Sequence, residues 1–219
     1  MAEIATYEVD RGELLNCYRE LLAAGLGTGT SGNVSGRTAD GMLITPTGMA
    51  PDQMQAEQLV AMSLEGVVAP NQLLPSSEWH MHAAIYQARP DVGAVVHCHS
   101  RFATTLACTG RTIPAIHYMI AVTDVSEIPL AAYETFGTEA LARSAAQALK
   151  QGQACLLANH GQIAVAADPA VALRVAIEVE ELAAIYWHAL AVGGEQILTE
   201  QQMGEVKDAF VDYGQQRDR

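Results

Sequence analysis

Lysine is nearly absent from this 219-residue chain, occurring only as Lys150 and Lys207. The first ends a helical pattern and the second lies on an amphipathic terminal segment, so neither has the desolvated setting that a Schiff-base amine needs. Carbonyl chemistry in this chain would have to use a metal. Runs of like charge are missing too: no five acidic or basic residues are consecutive, and the net charge is −13 with a pI near 4.8. The basic footprint of a nucleic-acid partner is therefore absent. Acidity does not exclude a phosphorylated substrate, because backbone N–H groups at turns and helix starts bind phosphate without formal charge, and a metal reverses the local field.

The opening stretch MAEIATYEVDRGELL has no basic segment followed by an apolar one. No apolar run approaches the ~20 residues of a membrane span, so a soluble, cytoplasmic protein with no membrane partner is expected. Cys17, Cys98, Cys108 and Cys155 form no CxxC pair, which argues against a disulfide framework or a thiolate zinc site and for buried reduced thiols. Walker and dinucleotide fingerprints are missing, as are repeats, low-complexity tracts and linkers. With 50% hydrophobic and 17% charged residues, the chain is expected to fold as a single domain over 1–219, with its core at about 11–213.

What is present alternates between helix and strand patterns. Glu8 to Ala24 places Leu14, Leu15, Tyr18, Leu21 and Leu22 on one helical face, with Gly25 as the stop. Residues 25 to 37 are too glycine-rich for helix and, with DGMLITPTGM, read as short strands joined by tight turns. Strands are expected at Leu59 to Leu64, Val92 to His99, Ala154 to Ala158 and Gln162 to Ala166. Ser76 and Ser77 offer N-caps to a helix ending near Ala88, with Glu78 in its first turn. Further helices are expected at Gly137 to Lys150, from Asp168-Pro169 to Ala191, and at about Thr199 to Tyr213. This alternation predicts a layered α/β fold with a central sheet.

The chemistry collects in the histidines. In VVHCHS, strand periodicity puts His97 and His99 on one side and Cys98 on the other. That pair alone is equally a metal site or two polar residues closing a strand. His160, at the end of the apolar ACLLANHG, is a candidate third ligand. Three histidines from two strands would leave a fourth position open, as in catalytic rather than structural zinc. Glu78 is the natural carboxylate, and Trp79 beside it could lower the local dielectric and raise its pKa toward that of a useful base. His82 shares a helical face with Glu78 at i+4 and is either a neighbour of the site or a rival ligand. His80 reads as surface and His188 as helix packing.

TGTSGN at 28–33, TPTG at 45–48 and PSS at 75–77 each join small hydroxyl residues to a turn or helix start. Together they could encircle a phosphate, although each alone is an ordinary turn.

Taken in order and spacing, GTSGNVS, ITPTG, PSSEWxxH, VVHCHS, PAIHYMIA, ETFGT, LLANHG and the tail DYG resemble the class II sugar-phosphate aldolase and epimerase family, from about Arg11 to Tyr213. The resemblance implies a three-layer α/β/α domain around a largely antiparallel sheet. It implies Zn2+, or another divalent metal, on His97, His99 and His160, one ion per subunit, with Glu78 as acid/base and resting-state ligand. Phosphate contacts are implied for Thr30, Asn33, Thr47, Gly48, Ser76 and Ser77. Tyr118 matches a tyrosine that protonates the aldehyde oxygen from a neighbouring subunit, and Tyr213 a tail tyrosine near the same site, within a homotetramer.

The reaction implied is a lyase step of carbohydrate metabolism, reversible cleavage of a ketose 1-phosphate such as L-fuculose 1-phosphate to dihydroxyacetone phosphate and an aldehyde such as L-lactaldehyde. A second reading is aldol cleavage or dehydration of a 5-deoxy- or 5-methylthio-pentulose 1-phosphate. Epimerisation of a pentulose 5-phosphate ranks lower, since epimerases similar to this family carry Asp at the position of Glu78 and lack AIHYM. A non-catalytic zinc-binding scaffold is the remaining alternative, and the open ligand position argues against it.

Overall fold

The computed structural model describes residues 9 to 211. Asp10 caps the first helix, α1 (Arg11–Ala23), its carboxylate accepting from the N–H groups of Gly12 and Glu13. The helix buries Leu14, Leu15, Tyr18 and Leu21. Strands β1 (Asn33–Thr38) and β2 (Gly41–Ile44) form a hairpin, and β3 (Val60–Met62) is shorter than its apolar run suggested. The next helix, α2 (Trp79–Ala88), starts one step later than expected. Its N-cap is Glu78 rather than a serine, because Ser76 Oγ accepts the Glu78 N–H in the preceding turn and Trp79 N–H donates to Ser76 O.

The chain continues through β4 (Ala94–Cys98), α3 (Arg101–Cys108), β5 (Ile113–Pro114), β6 (Glu127–Ile128) and β7 (Leu130–Ala131). Then come α4 (Glu139–Ala148), β8 (Ala154–Leu157), β9 (Gly161–Ala166), α5 (Pro169–Val192) and α6 (Glu200–Val211). Seven strands make the central sheet in the order β3-β2-β1-β4-β9-β8-β7, antiparallel at every junction but β7 with β8. Strands β4, β8 and β9 are buried on both faces, which is why the sequence reads them as continuous apolar runs without alternation. Helices α2 and α4 pack one face with Val95, Ile163 and Val165. Helices α1, α3 and α5 pack the other with Val96, Cys98 and Ala164. The layered fold is therefore as the sequence led one to expect, with the strand direction supplied by the structure.

All four cysteines are free, and Cys17, Cys98 and Cys155 are buried, but Cys108 is exposed at the end of α3. No helix among the described residues is long and apolar enough to cross a membrane.

One contact ties this frame to the histidines. Ser100 stands at the N-cap of α3 without capping it, since its hydroxyl accepts from Gln162 Nε2 instead. The open N–H groups of Phe102 and Ala103 donate to the two carboxylate oxygens of Glu180 on α5, each at 2.9 Å. A carboxylate from the neighbouring helix thus satisfies the start of α3 and fixes the chain immediately after His99. Glu180→Ala is expected to lower stability by about 1–2 kcal/mol, read as a lower urea midpoint at unchanged slope, whereas Glu180→Gln keeps part of the cap.

Candidate metal centre

Residues from four segments converge at one end of the sheet. His97 is the penultimate residue of β4, His99 follows the strand's end, His160 lies in the turn between β8 and β9, and Glu78 stands at the start of α2. The His97 and His99 Nε2 atoms are 3.1 Å apart. Glu78 Oε2 is 3.2 Å from His97 Nε2, and Glu78 Oε1 is 3.2 Å from His160 Nε2. The three ring centroids are separated by 4.8 to 4.9 Å, and all four ligand atoms lie within 4.8 Å of one another. His99 does not need the strand periodicity to reach the cluster, because the chain turns there. Gly161 makes room for that turn: a Cβ at this position would approach Cys98 O to 2.4 Å and the His99 ring to 2.9 Å.

The donor set fits a divalent metal. His97 Nδ1 lies 2.9 Å from Gln162 O, and a carbonyl only accepts, so Nδ1 carries a hydrogen and Nε2 is the nitrogen left to bind a metal in the neutral ring. A carboxylate and three imidazole nitrogens converging in this way need positive charge among them, which a proton or a metal ion supplies. Glu78 Oε1 is moreover buried without a hydrogen-bond partner in the structure. Donors about 2.0 Å from a tetrahedral ion stand roughly 3.3 Å apart, close to the 3.1 and 3.2 Å separations here.

The electrostatics correct one expectation. Burial alone would raise the Glu78 pKa, but His97 and His160 outweigh it and hold the carboxyl well below the usual range. Trp79 does not desolvate Glu78 into a weak acid. It stacks on His80 with ring centroids 3.7 Å apart and packs over Gly66. His80 is accordingly half-buried rather than a surface residue. For His97, burial opposes protonation but the adjacent Glu78 carboxylate prevails and raises its pKa. Burial, then His97 and His160, lowers His99 to about 4.

The three hydroxyl-rich segments lie together. Ser76 N–H donates to Thr45 O at 2.9 Å, Thr45 N–H donates to Val34 O at 3.1 Å, and Pro46 pairs with Pro75. Thr30, Thr47, Gly48 and Ser77 are exposed, and Ser76 is buried. Asn33 stands opposite His97 in the β1–β4 register, and its side chain is engaged within the protein, donating to Glu78 and accepting from His82. His82 is thus a neighbour of the site and not among the metal-ligand cluster. His188 is exposed and packs against Phe102 and Trp187.

A cleft of about 280 Å³ opens on the cluster, lined by Ser77, Glu78, His99, Tyr133, Glu134, Phe136, Asn159 and His160. Residue-level reading of the sequence did not single out Tyr133, Glu134, Phe136 and Asn159. Tyr133 and Phe136, 61% and 66% exposed, have no helical partners in sequence, and that irregular aromatic pair was the available signal. Tyr118 lies in a 3-10 turn (Tyr118–Thr123), with its ring against His117 and Phe210, and does not line this cleft. Tyr213 lies outside the described residues. Lys150 and Lys207 are both exposed, and neither lines the cleft.

The family profile of the Class II Aldolase and Adducin N-terminal domain matches residues 12–187. The chain belongs to this family. It is 44% identical over 205 residues to a 5-methylthioribulose-1-phosphate/5-deoxyribulose-1-phosphate aldolase of Rhodospirillum rubrum, covering 93% of this chain and 92% of the relative. It is 42% identical to an L-fuculose phosphate aldolase of Escherichia coli, covering 92% and 94%. A solved L-fuculose 1-phosphate aldolase superposes with a TM-score of 0.88 at 38% identity, over 92% of this chain and 95% of that one. The chain is thus a class II aldolase, a metal-dependent lyase, and its architecture is the class II aldolase fold.

Substituting His97, His99 or His160 by alanine is expected to lower bound metal well below one ion per chain by elemental analysis, while His188→Ala retains it. Because a bound ion stabilises only the folded state, chelation should lower the melting temperature of the wild type and leave that of His97→Ala nearly unchanged.

Proposed function

We propose that this chain reversibly cleaves a ketose 1-phosphate to dihydroxyacetone phosphate and a short aldehyde that ends in an apolar group, with L-fuculose 1-phosphate and L-lactaldehyde as the leading pair. The observation that carries the reading is the position of Glu78, which belongs to the metal-ligand cluster and also faces the cleft. A second reading, a 5-deoxy- or 5-methylthio-pentulose 1-phosphate, is favoured by the slightly higher identity of the relative named for those sugars. Both substrate classes leave the same three-carbon phosphate and differ only in the aldehyde.

His97, His99, His160 and, at rest, Glu78 would hold the ion, which we take to be zinc. A divalent metal supplies Lewis-acid polarisation of the substrate carbonyl when bound. The chain's own residues do the rest. Glu78, whose carboxylate stands in the metal-ligand cluster and lines the cleft, takes the proton from the carbon that becomes nucleophilic in the condensation direction and returns it to that carbon in cleavage. Thr30, Asn33, Thr47, Gly48, Ser76 and Ser77 hold the phosphate through N–H and O–H donors, which suits a protein whose net charge is −13. Tyr133 and Phe136 offer an apolar wall for the aldehyde's tail. Tyr118 enters from a neighbouring subunit of a homotetramer and gives its proton to the aldehyde oxygen as the new carbon–carbon bond forms, with Tyr213 as a further candidate for the same site.

Glu78→Gln is expected to lower kcat by about 10²- to 10⁴-fold with metal still bound by the histidines, read by coupled assay for dihydroxyacetone phosphate. Supplying dihydroxyacetone phosphate with lactaldehyde, glycolaldehyde or methylthioacetaldehyde, with and without chelator, identifies the preferred aldehyde. Metal-independent turnover, or none with any of the three, would sink the reading.

A further inference from the structure

We propose that His82 is a positioning residue for Glu78, acting through Asn33 at the inner end of a one-way hydrogen-bond chain that runs from Tyr86 through Ser35, His82 and Asn33 to the carboxylate. The proposal rests on the reading of Glu78 as the base and goes beyond it, since it gives a task to His82, Ser35 and Tyr86, to none of which that reading assigns a substrate contact.

The chain is a ladder between one helix and one strand. Glu78, His82 and Tyr86 recur every four residues along the start and body of α2, and Asn33 and Ser35 alternate on β1. Four helical residues rise about 6.0 Å, and two strand residues about 6.6–6.8 Å, so the side chains of the two elements interleave in register. Asn33 Nδ2 is 2.9 Å from Glu78 Oε2, Asn33 Oδ1 is 2.5 Å from His82 Nε2, His82 Nδ1 is 2.7 Å from Ser35 Oγ, and Ser35 Oγ is 2.9 Å from Tyr86 OH. Ser35 and His82 are wholly buried, and Tyr86, Asn33 and Glu78 are 1%, 5% and 7% exposed. Arg37, the next β1 residue on that side, lies over the Tyr86 ring at 4.7 Å and donates to Tyr86 O.

The direction of each bond follows from the end at the metal cluster. An ionised Glu78 only accepts, so Asn33 must present its nitrogen there and its oxygen to His82. That oxygen also only accepts, so His82 carries its hydrogen on Nε2. Burial keeps His82 neutral, lowering its pKa to about 3, and its bare Nδ1 therefore takes the Ser35 hydrogen. Ser35 has none left, and Tyr86 donates to it. Every member has one arrangement available, and reversing any link would turn the Asn33 carbonyl toward the Glu78 carboxylate. The ladder therefore fixes Oε2 of the base in place while Oε1 faces His160.

The test compares variants of the metal-loaded enzyme. His82→Leu, which removes the donor, is expected to lower kcat on the order of 10- to 100-fold, the scale of a misplaced catalytic group, with metal content retained. His82→Gln, whose amide can still donate to Asn33 and accept from Ser35, is expected to recover most of that loss. If His82→Leu does not fold, Ser35→Ala and Tyr86→Phe substitute for it, each expected to lower kcat about 2- to 10-fold. Independently of activity, histidine ¹⁵N spectra of the wild type should give His82 as the neutral Nε2–H form at neutral pH, and Ser35→Ala should admit the other tautomer. Equal kcat in the Leu and Gln variants, a rise in KM with kcat unchanged, or an Nδ1–H form in the wild type would each overturn the proposal. A wild type that cleaves no ketose 1-phosphate would instead count against the aldolase reading, leaving the nitrogen spectra to judge the ladder by themselves.

Discussion

A carboxylate and three imidazole nitrogens within 4.8 Å of one another form a concentration of lone pairs that positive charge, from a proton or a metal ion, must offset. Most of what surrounds the cluster exists to hold it. His97 is fixed by the carbonyl of Gln162 on the neighbouring strand, and that strand must approach closely enough for Gly161 to lie against Cys98 O. His99 is fixed by the start of α3, which Glu180 caps from α5. Glu78 is fixed by Asn33. These three candidate ligands thus depend on three different neighbouring elements, and the sheet order β1-β4-β9 brings the strands involved together.

The polar ladder between α2 and β1 deserves comparison with the apolar packing around it. Burying a hydroxyl, an imidazole and an amide without partners would cost about 1–3 kcal/mol each. As a connected series they satisfy one another, so the protein keeps a polar seam inside a core otherwise built from Met81, Ile85, Val95 and Ile163. Such seams specify one arrangement of their elements, because a slip of β1 by one residue would turn Asn33 and Ser35 to the opposite face. The register that serves the metal cluster and the register that satisfies the seam are the same one, with Asn33 opposite His97.

Much of the site was legible because strand and helix periods are short-range properties. His97 and His99 at the end of an apolar run, His160 before a glycine, and Glu78 at a helix start all announce themselves by local pattern. The cleft wall did not. Tyr133, Glu134 and Phe136 lie in irregular chain between β7 and α4, where no period marks which side chain faces what. Nor could the pattern give the charge state of Glu78. Trp79 is its neighbour in sequence, but the ring turns away onto His80 and Gly66, and two histidines distant in the chain decide the matter.

The sequence by itself determined the elements, the exclusion of lysine chemistry, and the set of residues able to bind a metal, since these follow from composition and from periods of two and 3.6 residues. Tertiary structure decided the strand directions, the pairing of Asn33 with His97, the recruitment of Glu180 to α3, and the ladder from Tyr86 to Glu78. His82 makes the difference plain. In sequence it was either a rival ligand or a neighbour of the site four residues from the acid, and only the packing of α2 on β1, which buries it between Asn33 and Ser35, gives its two nitrogens their partners.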